Sequence, residues 1–396
     1  MKIALVTPWY GEFAGGAEVL ARNIAEHLSK SGWTAEVLTT CSKSPFNSWW
    51  NDYYKPGQYT INSVVVKRFP LNKNTQYRYH AINQLLISGC QISTAEELEY
   101  LKGSIGSDDL VSFVEKNKSE YIFFLIPYLY GLIYWTYKAA QDRCILIPCL
   151  HDEPQAYFST TKEMMKSSKI FFNSPEEMTL AQKIYDIKNK DFVISGCGVD
   201  LPKEYDPEKF RKKYHINHPY LLYAGRKDVG KDIIELINFF SKYKSEINDN
   251  MQLVFIGSGD SALIPDEDYF IDLGFVNEED KFNAYSGAIA TCLLSKNESF
   301  SFVIMESWGV STPVIVSDDC PVTKGHCIRS NGGLPIRNSD EFCEAIHYLK
   351  ENPMVRARLG SNGRNYVLNN FVWSEVIRKY ETVLKTRDAK KNENPN

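Results

Sequence analysis

Short apolar runs alternate with longer amphipathic segments along most of this chain. The first run, Ile3–Thr7, precedes Ala17–Lys30, where apolar residues recur with the helical period. Further strand-length runs in the first half lie at Ala35–Thr39, Ser63–Phe69, Tyr121–Ile126, Cys144–Leu150, Lys169–Asn173 and Phe192–Ile194. This alternation predicts βα units on a mostly parallel sheet.

The alternation begins again after a polar stretch, Leu201–His218, which we interpret as a linker and the entry to a second half. Strands are predicted there at Tyr220–Tyr223, Gln252–Ile256, Tyr269–Asp272, Ala288–Leu294 and Pro313–Ser317. Helices are predicted at Asp232–Lys244, Glu278–Ser286, Phe302–Gly309, Ser339–Glu351, Met354–Asn369 and from Ser374 to about Arg387. The polar end, Lys390–Asn396, is predicted to be disordered.

The length of 396 residues is more than one ordinary core needs and fits two domains of similar size. We therefore predict an α/β chain of two Rossmann-like, doubly wound domains, with the first at 1–198 and the second at 199–373. Residues 374–396 are predicted to form a tail helix with a disordered end. Ligands of open α/β sheets bind beyond the carboxyl ends of the strands, so a cleft between two facing domains is the expected site.

Composition excludes some classes of partner and leaves one question open. The chain has 45 basic and 49 acidic residues, a net charge of −4, and so no general attraction for nucleic acid. Nine cysteines without a CxxC pair indicate reduced thiols in the cytoplasm, with neither a zinc site nor a disulfide framework. The aromatic and basic stretch Asn47–Tyr79 leaves three interpretations open: an acceptor pocket, peripheral membrane contact, or plain packing.

Two apolar segments resemble membrane signals without meeting their requirements. The start, MKIALVTPWYG, lacks a small-residue cleavage site and is interpreted as a buried first strand instead of a signal peptide. Tyr121–Ala140 has about the length of a membrane span, but Pro127, Gly131 and Lys138 divide it. We expect a strand, a turn and a helix there.

The segment ESFSFVIME, residues 298–306, carries the most specific chemistry. A helix that starts near Ser301 would direct the amides of residues 299–302 (Ser299, Phe300, Ser301, Phe302) at the carboxyl edge of the sheet, where they suit an anion such as diphosphate. Glu298 and Glu306 could then accept hydroxyl groups on either side of that diphosphate, as in a nucleotide-sugar. An isolated pair of this spacing more often complements a helix dipole or lies on a solvated face.

Other turns of the second half could complete such a site. Gly225, Arg226 and Lys231 follow a predicted strand in YAGRKDVGKD, where the two cations could clamp a diphosphate without a metal. Two further turns could hold a base through close backbone contacts, and each alone is more often structural: they carry Gly257, Gly259, Phe275 and Val276.

The first half offers two weaker signals. Gly15 and Gly16 precede a helix, where paired glycines let amides approach a phosphate, but the spacing is not that of a dinucleotide fingerprint. His151 and Asp152 follow a predicted strand in CLHDEP, so the histidine could bond a sugar hydroxyl with Asp152 orienting it. A histidine in such a position is more often structural.

In this order the segments resemble the retaining glycosyltransferases of family 4. The resemblance implies a GT-B fold whose C-terminal helix packs back on the N-terminal domain. It also implies roles for the motif residues: diphosphate contacts for Arg226 and Lys231, sugar hydroxyls for Glu298, the ribose diol for Glu306, the transferred sugar for His151, donor phosphates for Gly15 and Gly16, and the base for Gly257, Gly259, Phe275 and Val276. The family usually has glycine where this chain has Ser299 and Ser301, which still offer amides but add hydroxyl groups and bulk.

The expected function is transfer of a hexose, with retention, from a nucleoside-diphosphate sugar to a hydroxyl of a glycan or lipid-linked acceptor. Neither a metal nor another cofactor is expected, and such enzymes commonly build bacterial surface polysaccharides (O-antigen, capsule or exopolysaccharide) at the inner face of the membrane. Two other GT-B activities are alternatives, a sugar-nucleotide epimerase and a phosphorylase. An epimerase needs carboxylates around C2 and a phosphorylase needs a pyridoxal-binding lysine, and the sequence offers no convincing set of either. A third alternative is a catalytically silent subunit that binds nucleotide-sugar.

Overall fold

The computed structural model describes residues 2–11, 15–73, 76–187 and 192–393. The chain divides into two compact units. One unit runs to Gly198 and includes the residues from Trp373 onwards, and the other is Val199–Val372. The boundaries predicted from the sequence lie at residues 199 and 374.

The first unit is built on an eight-stranded sheet of order β3-β4-β2-β1-β5-β6-β7-β8. Neighbouring strands are parallel except β3 and β4. The strands are β1 (Lys2–Val6), β2 (Ala35–Thr40), β3 (Gly57–Ile61), β4 (Val64–Phe69), β5 (Tyr121–Leu125), β6 (Cys144–Leu146), β7 (Lys169–Phe172) and β8 (Phe192–Ile194).

The helices of this unit lie between its strands. They are α1 (Gly16–Lys30), α2 (Gln76–Ile87), α3 (Thr94–Gly103), α4 (Asp108–Asn117), α5 (Gly131–Ala140), α6 (Ser159–Ser167) and α7 (Pro175–Tyr185). Strand β5 and helix α5 confirm the strand, turn and helix predicted for Tyr121–Ala140. In the part of the chain that the structure describes, no helix is both long enough and apolar enough to cross a membrane.

The second unit has a six-stranded, fully parallel sheet of order β11-β10-β9-β12-β13-β14. Its strands are β9 (Tyr220–Ala224), β10 (Gln252–Ile256), β11 (Phe270–Asp272), β12 (Thr291–Leu293), β13 (Val314–Ser317) and β14 (Gly333–Ile336). Its helices are α8 (Pro207–Tyr214), α9 (Ile233–Glu246), α10 (Glu278–Gly287), α11 (Phe302–Gly309), α12 (Pro321–Ser330), α13 (Ser339–Glu351) and α14 (Pro353–Asn370). This is the Rossmann strand order. The order in which the chain adds strands to the sheet reverses between β9 and β12, and ligands of such sheets bind at this switch point.

A last helix, α15 (Trp373–Glu393), belongs to the first unit. Its residue Tyr380 is fully buried, with its ring centroid 4.8 Å from that of Phe171 on β7 and 5.6 Å from that of Phe124 on β5. The aromatic contacts and the burial of Val376 and Leu384 make α15 part of the core of that unit.

Two predictions about irregular segments are wrong. The predicted linker Leu201–His218 contains helix α8, which the Asp206 side chain caps at Glu208 N, with Pro207 in the first turn. Phe210 anchors this helix in the core, although its other residues are mostly polar. The tail helix continues through residues 390–393, which were predicted to be disordered, and 394–396 lie outside the described residues.

Packing accounts for part of the aromatic stretch at Asn47–Tyr79. The Trp49 ring lies 5.3 Å from Trp9 and 5.6 Å from Tyr79, and the Trp50 ring lies 5.6 Å from Tyr79. Tyr53 and Tyr77 are instead exposed. The two tryptophans therefore pack against the core of the first unit.

Candidate functional site

The loops that follow β9 and β12 meet at the switch point of the second sheet. Lys231 ends a short 3₁₀ turn after β9, and its Nζ donates a hydrogen bond of 2.7 Å to Glu298 Oε1, on the loop between β12 and α11. The Lys296 amide donates to the Asp232 carboxylate over 3.1 Å and ties the same two loops. The structure thus brings together two residues that the sequence placed 67 positions apart.

Glu306 lies on α11 and receives two donors from α10. Lys281 Nζ donates to its Oε1 over 2.7 Å, and the Tyr285 hydroxyl donates to its Oε2 over 3.1 Å. Burial, together with the Glu306 charge, raises the pKa of Tyr285 well above its usual value, so the phenol stays protonated as a donor. Sequence reasoning missed Lys281 and Tyr285, although their i, i+4 spacing places them on one helix face.

The free amides at the amino end of α11 are not the ones that the sequence predicted. The helix begins at Phe302, so its first free amides start there, whereas Ser299 and Phe300 precede the helix. The Phe300 side chain is 2% exposed and packs edge-on against His326 and Phe371. Phe300 is therefore an anchor of the core that fixes the turn into α11.

The turns after β9 and β10 approach each other so closely that the second turn has room only for glycine at two positions. Gly257 has φ 126°, and a Cβ on it would lie 2.1 Å from the Gly225 carbonyl oxygen. Gly259 has φ 121°, and its Cβ would lie 2.4 Å from the Lys227 carbonyl oxygen. The Lys227 amide donates to Ser258 O over 2.8 Å. These glycines are required for the turns to pack, whatever the turns bind.

A buried ion pair supports those turns and was missed in the sequence. Lys227 is 1% exposed, and its Nζ donates to both carboxylate oxygens of Asp272, over 2.7 Å and 2.9 Å. Burial acts to raise the pKa of Asp272, but the bonds from Lys227 and the Gly274 amide outweigh it and lower that pKa. The pair joins the turn after β9 to the end of β11.

The remaining predicted residues of this unit lie on the same turns. Arg226 pairs with the carboxylate of Asp228, and the Tyr223 hydroxyl donates to Arg226 O over 2.6 Å. Phe275 is 75% exposed just after β11, and Val276 is half-buried against the core. The structure therefore places every predicted residue of the second half on the loops and helix at the carboxyl end of one sheet.

In the first unit, His151 lies half-buried on the loop after β6. Asp152, which was predicted to orient it, accepts a hydrogen bond of 2.7 Å from Tyr157. Glu177 of α7 also holds this loop, because its carboxylate accepts the Leu150 amide over 2.6 Å. Burial raises the pKa of Glu177 to about 8, against the opposing effect of its bonds to backbone amides. Glu177 was not identified from the sequence.

Gly15 and Gly16 lie at the start of α1, after β1. A Cβ on Gly15 would lie 2.0 Å from a carboxylate oxygen of Glu18, whereas the space around Gly16 is open. Residues 12–14, just before this pair, lie outside the described residues. No group of three or more His, Cys, Asp or Glu residues that could hold a metal ion occurs in the described ranges.

The two α/β units, each built on a mostly or fully parallel sheet, define the class of the protein as the GT-B fold. Solved structures share this fold at TM-scores of 0.72 and 0.70. Residues 206–366 match the family model described as glycosyl transferases group 1. Sucrose-phosphate synthase from Thermosynechococcus elongatus superposes with a TM-score of 0.72 at 18% identity, covering 98% of this chain and 99% of that one. HepE from Anabaena, solved with UDP and glucose, has a TM-score of 0.70 at 15% identity, covering 98% and 100%.

Sequence similarity to two curated proteins covers about half of the chain. Trehalose synthase from Rubrobacter xylanophilus is 24% identical over 227 residues, which are 52% of this chain and 48% of that protein. The chain spans about half the length of the curated relatives it matches.

Proposed function

We propose that this protein is a glycosyltransferase that moves a hexosyl group from a nucleoside-diphosphate sugar to a hydroxyl of a glycan or lipid-linked acceptor, with retention and without a metal. One observation carries the proposal: the Lys231–Glu298 pair lies just before the amino end of α11, at the switch point of a Rossmann sheet, and Glu306 lies on that helix. The match of this unit to glycosyl transferases group 1 and the UDP bound to HepE support it.

In this proposal the cations and amides receive the diphosphate. Lys231 has three N–H donors, of which one is directed at Glu298, so the others can serve a phosphate oxygen. Arg226 and the first amides of α11 add positive potential beside it. Such preorganised donors stabilise the charge that develops on a departing phosphate.

The carboxylates then recognise the two hydroxyl-bearing parts of the donor. Glu298 is assigned to the hydroxyls of the transferred sugar, and Glu306 to the ribose diol, as the resemblance to the family implies. Lys281 and Tyr285 hold Glu306 in place, so its orientation does not depend on the ligand. The contact of His151 with the sugar, and a role in surface polysaccharide synthesis, rest on the family resemblance alone.

The reaction we infer is a front-side displacement. The bond from the anomeric carbon to the phosphate oxygen breaks while the acceptor oxygen bonds to that carbon on the same face. The departing phosphate takes the proton of the acceptor hydroxyl, so no protein nucleophile is needed. Catalysis then consists of positioning and of charge stabilisation by Arg226, Lys231 and the α11 amides.

A thermal-shift panel tests the donor site. UDP, GDP, ADP and CMP, and the sugars of these nucleotides, are added with and without Mg²⁺ to the wild type, to Glu306→Ala and to Glu344→Ala, a change of an exposed residue on α13. We expect one diphosphate family to raise the unfolding midpoint without Mg²⁺, in the wild type and the control but not in Glu306→Ala. The absence of any shift in the wild type would overturn the proposal.

Transfer itself needs a second measurement. With the donor so identified, ¹H NMR of the glycoside formed on a panel of saccharide acceptors reports the anomeric configuration. Retention of the donor configuration is expected, with transfer lost in Glu298→Gln and Lys231→Ala while both variants stay folded. An inverted product, or wild-type turnover in either variant, would contradict the mechanism.

A further inference from the structure

Ser301 holds a backbone conformation that serine disfavours. It lies directly before α11 with φ 76° and ψ 88°, in the left-handed region, where glycine is at no disadvantage. The residue before it, Phe300, is fixed by the contacts of its ring with His326 and Phe371. The turn is therefore set by the core, and a glycine at position 301 would fit it with less strain.

The hydroxyl of Ser301 is also left without a partner. The residue is 6% exposed, and its Oγ bonds to no atom of the described residues. A serine at this position usually accepts an amide of the first helical turn, but the Ser301 side chain makes no such bond. A buried polar group without a partner is unfavourable unless something else satisfies it.

The chemistry around Ser301 indicates an anion as that partner. Ser301 is the residue at the amino, positive end of α11, three positions after Glu298, which holds the ammonium of Lys231. The serine side chain has a single rotatable bond to its oxygen, so Oγ can change between staggered positions while the backbone stays fixed. A hydroxyl at a helix amino end that donates to a phosphate oxygen would act beside the amides there.

We propose that the Ser301 hydroxyl donates a hydrogen bond to the terminal phosphate of the nucleoside diphosphate and makes the site selective for diphosphate over monophosphate. This inference rests on the proposed function, because it assigns the diphosphate to the amino end of α11. It adds a determinant of ligand choice that the backbone amides alone do not supply.

Isothermal titration of the full chain tests this inference with the pairs UDP and UMP, GDP and GMP, and ADP and AMP. The variant is Ser301→Gly, which removes the hydroxyl and keeps a residue suited to positive φ. The matched control is Ser311→Gly, since Ser311 also has positive φ, 63°, and lies just after the other end of α11. Both variants are expected to unfold at or above the wild-type temperature.

In the wild type, one diphosphate is expected to bind more tightly than its monophosphate. Ser301→Gly should weaken the diphosphate about 10-fold, the size of one charge-assisted hydrogen bond, and leave the monophosphate unchanged, while Ser311→Gly changes neither. Undiminished diphosphate affinity in Ser301→Gly would overturn the inference and leave the proposed function standing. An equal loss for both nucleotides would overturn the assignment to the terminal phosphate. If the wild type binds none of the six, both the proposed function and the inference fail.

Discussion

At the scale of single residues, His326 shows how burial in the core next to the site keeps a titratable side chain uncharged. It is 1% exposed, its Nδ1 lies 3.0 Å from the Tyr366 hydroxyl, and its ring contacts Phe300 and Phe371. Burial, together with the positive charge of Arg329, lowers the pKa of His326 to about 3. The histidine therefore remains neutral where an exposed one would gain a proton.

This predicts acid sensitivity of the second unit. Between the unfolded pKa of about 6.5 and the folded value, the unfolded chain binds the additional proton, so stability falls as the pH falls. The free energy of unfolding should drop between pH 7 and pH 5 with a slope that approaches about 1.4 kcal/mol per pH unit. Urea unfolding at a series of pH values measures this slope.

The control is His326→Asn, whose amide can still bond to Tyr366 but does not titrate. Its slope over the same interval should be flatter than that of the wild type, since other groups titrate equally in both proteins. Identical slopes would show that His326 is protonated in the folded state at these pH values.

Residues of the site were predictable where their type and spacing carried chemistry. Glu298 and Glu306 were selected because they flank a predicted helix start eight positions apart, and Lys231 because it follows a predicted strand beside Gly230. Lys281, which bonds to Glu306, and Asp272, which bonds to Lys227, were not identified, because each lies on a different element from its partner and only folding brings the two together. Sequence spacing shows that two residues lie close together only when both are on one face of the same helix, as Lys281 and Tyr285 are.

At the scale of elements, the two turns after β9 and β10 depend on glycine in a way that can be measured. Gly257→Ala would place a methyl group 2.1 Å from Gly225 O and impose φ 126° on a residue with a side chain. We expect the second unit to lose about 2–5 kcal/mol of unfolding free energy, from backbone strain and overpacking together. Urea unfolding of the full chain measures the loss.

Gly274→Ala is the matched control, because Gly274 also has positive φ, 62°, but no atom lies within 4 Å of its added Cβ. Its loss should be about 1–2 kcal/mol, from the backbone alone. Equal losses in the two variants would mean that the turns separate to accommodate the methyl group, so that their close packing contributes little.

Strands and helices could be predicted where their burial requires a run or a regular spacing of apolar residues in the sequence. The central strands are buried along their length, and their apolar runs gave their positions directly. Strand β3 was missed because its residues are exposed at nearly every position, so no alternation marks it. Helix α8 was missed because one buried phenylalanine, Phe210, gives no helical period.

At the scale of the whole molecule, the two units differ in how the chain builds them. The second is one continuous segment, Val199–Val372, whereas the first needs α15 from the far end of the chain. Tyr380 on α15 lies in the middle of the first core, against Phe124 and Phe171. The stability of the first unit therefore depends on residues that follow the whole second unit along the chain.

Tyr380→Ala should destabilise the first unit by about 3–5 kcal/mol, because a large buried ring is removed from a packed core. Hydrogen exchange of the full chain, followed by mass spectrometry, resolves the opening of each unit. Faster exchange is expected in β5 and β7, with unchanged exchange in β9 and β10. Tyr348→Ala, a change of a tyrosine that is 46% exposed on α13, serves as the control and should alter neither set. If Tyr380→Ala accelerated exchange equally in both sheets, the units would unfold as one cooperative block and the division at residue 199 would carry no energetic meaning.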